Sequence, residues 1–142
     1  MISVTINSGI KKFSDLNRYD SKPNDLSKYK KVVNGDIAYN SMRMWQGASG
    51  LSPYTGILSP AYTVIVPKEN ISSLFFSYQI KKPEIIHLFE LNSQGLTKDT
   101  LNLKFPAFSE IEITYPEKYE EQNKIGMLLQ KIDDLITLHQ RK

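Results

Sequence analysis

The side chains best suited to chemistry crowd into one stretch, GDIAYNSMRMWQGASGLSPYTGILSPAY, at residues 35–62. Asn40, Ser41, Arg43 and Gln46 place amide, hydroxyl and guanidinium groups beside the only tryptophan, Trp45, among four glycines and two prolines. Arginine matches the acceptor edge of guanine, and asparagine or glutamine matches adenine. Such a mixture can grip a flat partner through hydrogen bonds and apolar contact together. The same residues also suit a buried indole on a glycine-rich hairpin with Arg43 merely solvated. Trp45 is assigned to packing, because a lone large aromatic is more often buried. Asn40, Ser41, Arg43 and Gln46 are the candidates for gripping a partner and, where that partner is DNA, for approaching its base edges.

A second set is basic. Lys11, Lys12, Arg18, Lys22, Lys28, Lys30 and Lys31 run through a polar segment with Tyr19 and Tyr29 between them. A charge run of this kind is either a solvated face or a phosphate-binding one, where each neutralised phosphate releases counterions. Lys11, Lys12, Arg18 and Lys98 are the candidates for phosphates, and Tyr54 is a further contact candidate.

Catalytic patterns are missing. The chain holds no G-x-G-x-x-G, no Walker loop and no G-x-S-x-G. It has no Asn-Pro-Pro-aromatic run and no Glu-x-Lys. Two histidines and no cysteine cannot build a zinc-finger or zinc-deaminase site. No catalytic residue, metal ligand or cofactor is expected, and a binding module is the default reading.

These residues need a scaffold. The 142 residues allow one domain with room for one appended element. Hydrophobic residues make up 40% and charged residues 23%, ordinary for a globular chain. A net charge of +3 permits a nucleic-acid partner without requiring one. The start, MISVTINSGIKKF, lacks a signal pattern, and no apolar run approaches the roughly 20 residues of a membrane span. The expectation is a soluble, cytoplasmic protein with no membrane contact.

Ile2, Val4 and Ile6 alternate as a short first strand, exposed as an open pairing edge. Residues 7–31 read as loop, with a helical turn near 14–18. Residues 31–40 read as a strand pair about the turn dipeptide Asn34-Gly35, with Ile37 and Tyr39 on one face. Residues 61–66 read as a core strand closed by Pro67. A helix is expected over 71–80, capped by Asn70 or Ser72, and a second after Pro83, over 84–91. His87 is assigned to that helix's surface or to the core. Gly95 is the expected helix stop, with Thr97 or Asp99 capping a short turn beyond it. Phe105-Pro106 predicts extended backbone before a final strand, in which Ile111 and Ile113 alternate with Glu110, Glu112 and Thr114.

The clearest helix lies in 116–142, over 117–139. Glu117, Glu120 and Glu121 load its positive end, and His139, Arg141 and Lys142 its negative end. Ile125, Leu128, Ile132 and Leu135 follow alternating spacings of three and four, a seam that wants another helix or its own domain. The fold class expected is α+β: a mixed, mostly antiparallel sheet with short helices, then a long coiled-coil-like C-terminal helix.

The stretch GDIAYNSMRMWQGASG followed by SPAYTVIVP resembles the target-recognition domain of type I restriction–modification specificity subunits. SQGLTKDTLNLKFPAFSEIEI (93–113) is similar to that family's closing segment. PEKYEEQNKIGMLLQKIDDLITLHQRK (116–142) is similar to its spacer helix, including the pair Glu121-Gln122. The resemblance covers nearly the whole chain in family order. It implies a recognition domain over 1–115, without the part that usually precedes it, and a spacer and dimerisation helix over 116–142. It also implies half a subunit, which reads one half of a bipartite site on double-stranded DNA. Its helix would dock a methylation subunit and, through that, a restriction subunit. The half would pair with itself or with another specificity half. The alternative is an interaction module that binds methylation or intact specificity subunits without reading DNA.

Overall fold

Strand β4 (Ile37–Asn40) divides the interior, because its alternating side chains enter two different cores. Ile37 and Tyr39 join Met44, Ile80, Ile85, Phe89 and Leu103 on one side. Ala38 joins Ile2, Val4, Ile10, Val32 and Leu58 on the other. Both faces of β4 are thus covered over its first three residues, which carry large or apolar side chains, and only the half-exposed Asn40 at its end carries an amide. The computed structural model describes residues 1–6, 9–12 and 27–140. The helical turn expected near 14–18, and Arg18 with it, lies outside the described residues.

Every described ladder is antiparallel. Strand β1 (Ile2–Val4) pairs with β2 (Ile10–Lys12). Strand β3 (Lys30–Val32) pairs with β6 (Gly56–Leu58). Strand β4 is the centre of a three-stranded sheet, between β5 (Ser49–Leu51) and β7 (Tyr62–Ile65). Helix α1 (Ser73–Gln79) is capped by Ser72, whose hydroxyl accepts from the Phe75 N–H at 3.3 Å. Helix α2 (Pro83–Asn92) opens on its proline and buries Ile85 and Phe89, while His87 stays on its exposed face. After it come α3 (Phe105–Ser109) and the long α4 (Tyr119–Gln140). The architecture is α+β.

Several expectations are overturned in detail. The first strand is not exposed: Ile2, Ser3 and Val4 are buried, and β2 pairs along one of its edges from within the segment expected to be loop. Residues 31–40 are not a hairpin. The Asn34-Gly35 turn forms, with the Asp36 N–H donating to the Val33 carbonyl at 2.9 Å. However, the Gly35 N–H donates to the Ser52 carbonyl at 2.8 Å, which draws the turn onto the β5–β6 connection. The flanking strands then enter separate ladders. The expected final strand is absent among the described residues. Phe105-Pro106 starts α3 instead, its proline in the first turn where no N–H is needed. Ile111 and Ile113 still pack on the core while their neighbours stay exposed. Alternation there reports one buried face without a pairing partner. Helix α2 stops at Asn92 with Ser93 as its cap, before Gly95 is reached. Thr97 caps the short turn Lys98–Thr100 as expected.

Candidate nucleic-acid interface

The loop after β4 is built from its own backbone. The Asn40 side-chain carbonyl accepts from the Met42 N–H at 3.0 Å, and its main-chain carbonyl accepts from the Arg43 N–H at 3.0 Å. The Arg43 carbonyl accepts from Gln46 and Ala48 at 2.9 and 3.1 Å, closing a 3-10 turn over Met44–Gln46. Met44 is the buried pin of that turn. Gly47 ends it in the left-handed region at φ 84°, where a side chain is strained. A Cβ there would also come within 2.9 Å of Ile86 on α2. The loop is therefore seated tightly on α2, with Gln46 exposed and Asn40 and Arg43 half-exposed at its surface.

Lys81, between α1 and α2, is the residue that sequence reasoning missed. Its ammonium donates to the carbonyls of Gly47, of Ile6 at 3.1 Å and of Ser49 at 3.4 Å. Burial pulls its pKa below the ordinary lysine value. It clamps the end of the loop to the start of β5, and its partners come from segments far apart in the chain. Lys81→Ala is expected to cost about 1–2 kcal/mol, since three carbonyls lose their donor. Chemical denaturation would measure this, and an unchanged midpoint would assign Lys81 to the surface.

Of the other candidates, Ser41 and Lys98 lie at this loop, while Lys12 and Tyr54 form a separate grouping. Ser41 is buried, its hydroxyl 2.7 Å from that of Thr63 and its carbonyl accepting from the Leu103 N–H at 2.8 Å. Its hydroxyl thus faces inward. Trp45 is half-buried and donates its indole N–H to the Met42 carbonyl at 3.2 Å. The Lys98 ammonium sits 5.6 Å from the Trp45 ring centroid, which brings a distant lysine to the same loop. A second grouping joins Lys12 on β2 to Tyr54, with the ammonium 4.7 Å from the ring centroid. Lys11 is half-exposed beside it on the same strand.

Among the described residues no group of three acidic or histidine side chains is placed to hold a metal ion. No described helix is long and apolar enough to cross a membrane. The arrangement offers amide, guanidinium and ammonium groups on a fixed backbone, which suits recognition by hydrogen bonds and charge. A family model, the type I restriction modification DNA specificity domain, matches residues 4–142. No curated protein matches the chain.

Proposed function

The chain belongs to the type I restriction modification DNA specificity domain family, and from that premise we propose that it reads DNA sequence through the loop after β4. The observation that carries this reading is a backbone-braced loop that leaves Gln46 exposed and Asn40 and Arg43 half-exposed, with Lys98 held over its Trp45. In this reading Asn40, Arg43 and Gln46 meet base edges, and Ser41 sets the base of the loop. Lys11, Lys12, Arg18 and Lys98 meet phosphates, and Tyr54 carries Lys12. Residues 1–115 act as the recognition domain and 116–142 as the spacer helix. The helix docks a methylation subunit, which brings a restriction subunit, and the chain works as a non-catalytic component in the cytoplasm.

The reading makes a split prediction. Arg43→Ala should cost about 1–3 kcal/mol of DNA affinity and relax sequence preference. Lys12→Ala should weaken binding to all duplexes alike and flatten the salt dependence by about one phosphate contact. Fluorescence anisotropy with a duplex library across a salt series measures both. If Arg43→Ala changes neither affinity nor preference, the loop is a structural element. A second reading, a helix-docking module that does not touch DNA, is favoured by the apolar stripe exposed along α4. Absence of any salt-sensitive duplex binding would select it.

A further inference from the structure

Beside the recognition loop lies a groove of about 310 Å3 that neither the family match nor the loop accounts for. Met42 and Pro60 line it from the connections after β4 and β6, and Asn102, Lys104 and Phe105 line it from the approach to α3. The bond from the Leu103 N–H to the Ser41 carbonyl, at 2.8 Å, fastens these distant segments together. The groove has the makings of a site rather than a packing fault. Its large apolar side chains stand open, Phe105 at 52% and Met42 at 41% exposure. Two cations reach it, Lys30 and Lys104, and among the described residues no carboxylate lines it. Lys30 is held in place by donating to the Tyr62 carbonyl at 2.6 Å, and an ammonium has further N–H groups to give. The Asn102 side-chain oxygen is buried without a hydrogen-bond partner, so it can accept from a ligand in the groove only by turning outward from its present position.

An open aromatic ring, a free amide acceptor and two ammonium groups together match one ligand chemistry: a base to stack, an exocyclic amine to accept from, and a phosphate to neutralise. We propose that this groove takes a single unpaired nucleotide, drawn from the stack of the DNA that the adjoining loop contacts. Phe105 is the stacking surface, Asn102 the base-edge contact, and Lys30 and Lys104 the phosphate contacts. A fully paired duplex offers no base face to Phe105, so the occupant is a nucleotide that is bulged, mismatched or extruded. The proposal rests on DNA reading by the loop, because Ser41 and Met42 belong to both.

The test uses the whole chain and two labelled duplexes of the same mixed sequence, one fully paired and one carrying a single unpaired base. The unpaired base has already lost its stacking and pairing, so that duplex should bind about tenfold more tightly. Phe105→Ala should abolish the preference while leaving binding to the paired duplex within about twofold, and Phe105→Trp should keep it, because any flat ring stacks. Phe105 is half-exposed, and a thermal melt of each variant checks that the fold is intact. Paired binding with no preference in the native chain overturns the groove alone. A preference that survives Phe105→Ala also overturns it, by placing the unpaired base elsewhere. Failure to bind either duplex removes the DNA-reading function and this inference with it.

Discussion

Gln122→Leu is expected to destabilise the protein by about 3 kcal/mol, because two buried main-chain groups lose their partner at about 1–3 kcal/mol each. Gln122 is fully buried on a helix that is otherwise almost wholly exposed. Its side-chain oxygen accepts from the Ser72 N–H at 2.8 Å, and its amide donates to the Pro116 carbonyl at 2.8 Å and to the Asn70 carbonyl at 3.5 Å. One side chain thus ties the start of α4 to the cap of α1 and to the chain entering α4. Leucine has similar bulk but neither donor nor acceptor, so it strands the Ser72 N–H and the Pro116 carbonyl. One turn further on, Gly126 completes the contact. A Cβ at Gly126 would lie 3.0 Å from Leu74 Cγ and 3.0 Å from the Phe75 backbone nitrogen. Gly126→Val should therefore push the helices apart at a further cost of about 1–3 kcal/mol. Urea unfolding of the two variants measures both costs. A midpoint unchanged by Gln122→Leu would mean that α4 is not anchored through this residue.

The second large effect concerns assembly. Ile125, Leu128, Ile132 and Leu135 are 39, 60, 44 and 57% exposed. The face of α4 that meets the domain runs through Gln122 and Gly126. It continues to Asp133, beside Tyr78, whose phenol is pushed up by burial first and then by Asp133 and Asp134. At 3.6 residues per turn the apolar seam lies about a third of a turn away from that face. The seam therefore does not serve the chain's own domain. Burying each of its side chains is worth about 1.5–3 kcal/mol, and a monomer that left four in a row exposed would be unusual. Antiparallel pairing of two copies would set the acidic start of one helix, Glu120 and Glu121, against the basic end of the other. Two copies joined this way would present two identical loops, so the site read would be a palindrome with a fixed spacer. Sedimentation should show a dimer at micromolar concentration and a monomer for Leu128→Glu. A native chain that is already monomeric would remove the basis for the symmetric target.

Local patterns foretold several of the elements that rest on local forces. The α4 helix, its seam, the Ser72 cap, the Pro83 start and the β4 alternation follow from side-chain periodicity and backbone chemistry within a few residues. The composition of the loop at Asn40–Gln46 was legible for the same reason, as was the Thr97 cap. Pairing was not legible. The Asn34-Gly35 turn is a local fact, but the bond from Gly35 to Ser52 that separates its flanking strands depends on a residue brought in by the fold. Phe105-Pro106 fits extended backbone and a first helical turn equally well, and packing of Phe108 on Tyr39, with ring centroids 5.2 Å apart, accompanies the helix. Lys81 looks like any surface lysine until the carbonyls of Ile6, Gly47 and Ser49 converge on it. The groove at Phe105 is likewise a product of tertiary structure, since Met42 and Lys104 become neighbours only when Leu103 bonds to Ser41. Short-range chemistry thus determined which residues could act and which elements carry them. Contacts between distant segments decided which of those residues share a surface, because burial and hydrogen-bond satisfaction are settled only once the whole chain has folded.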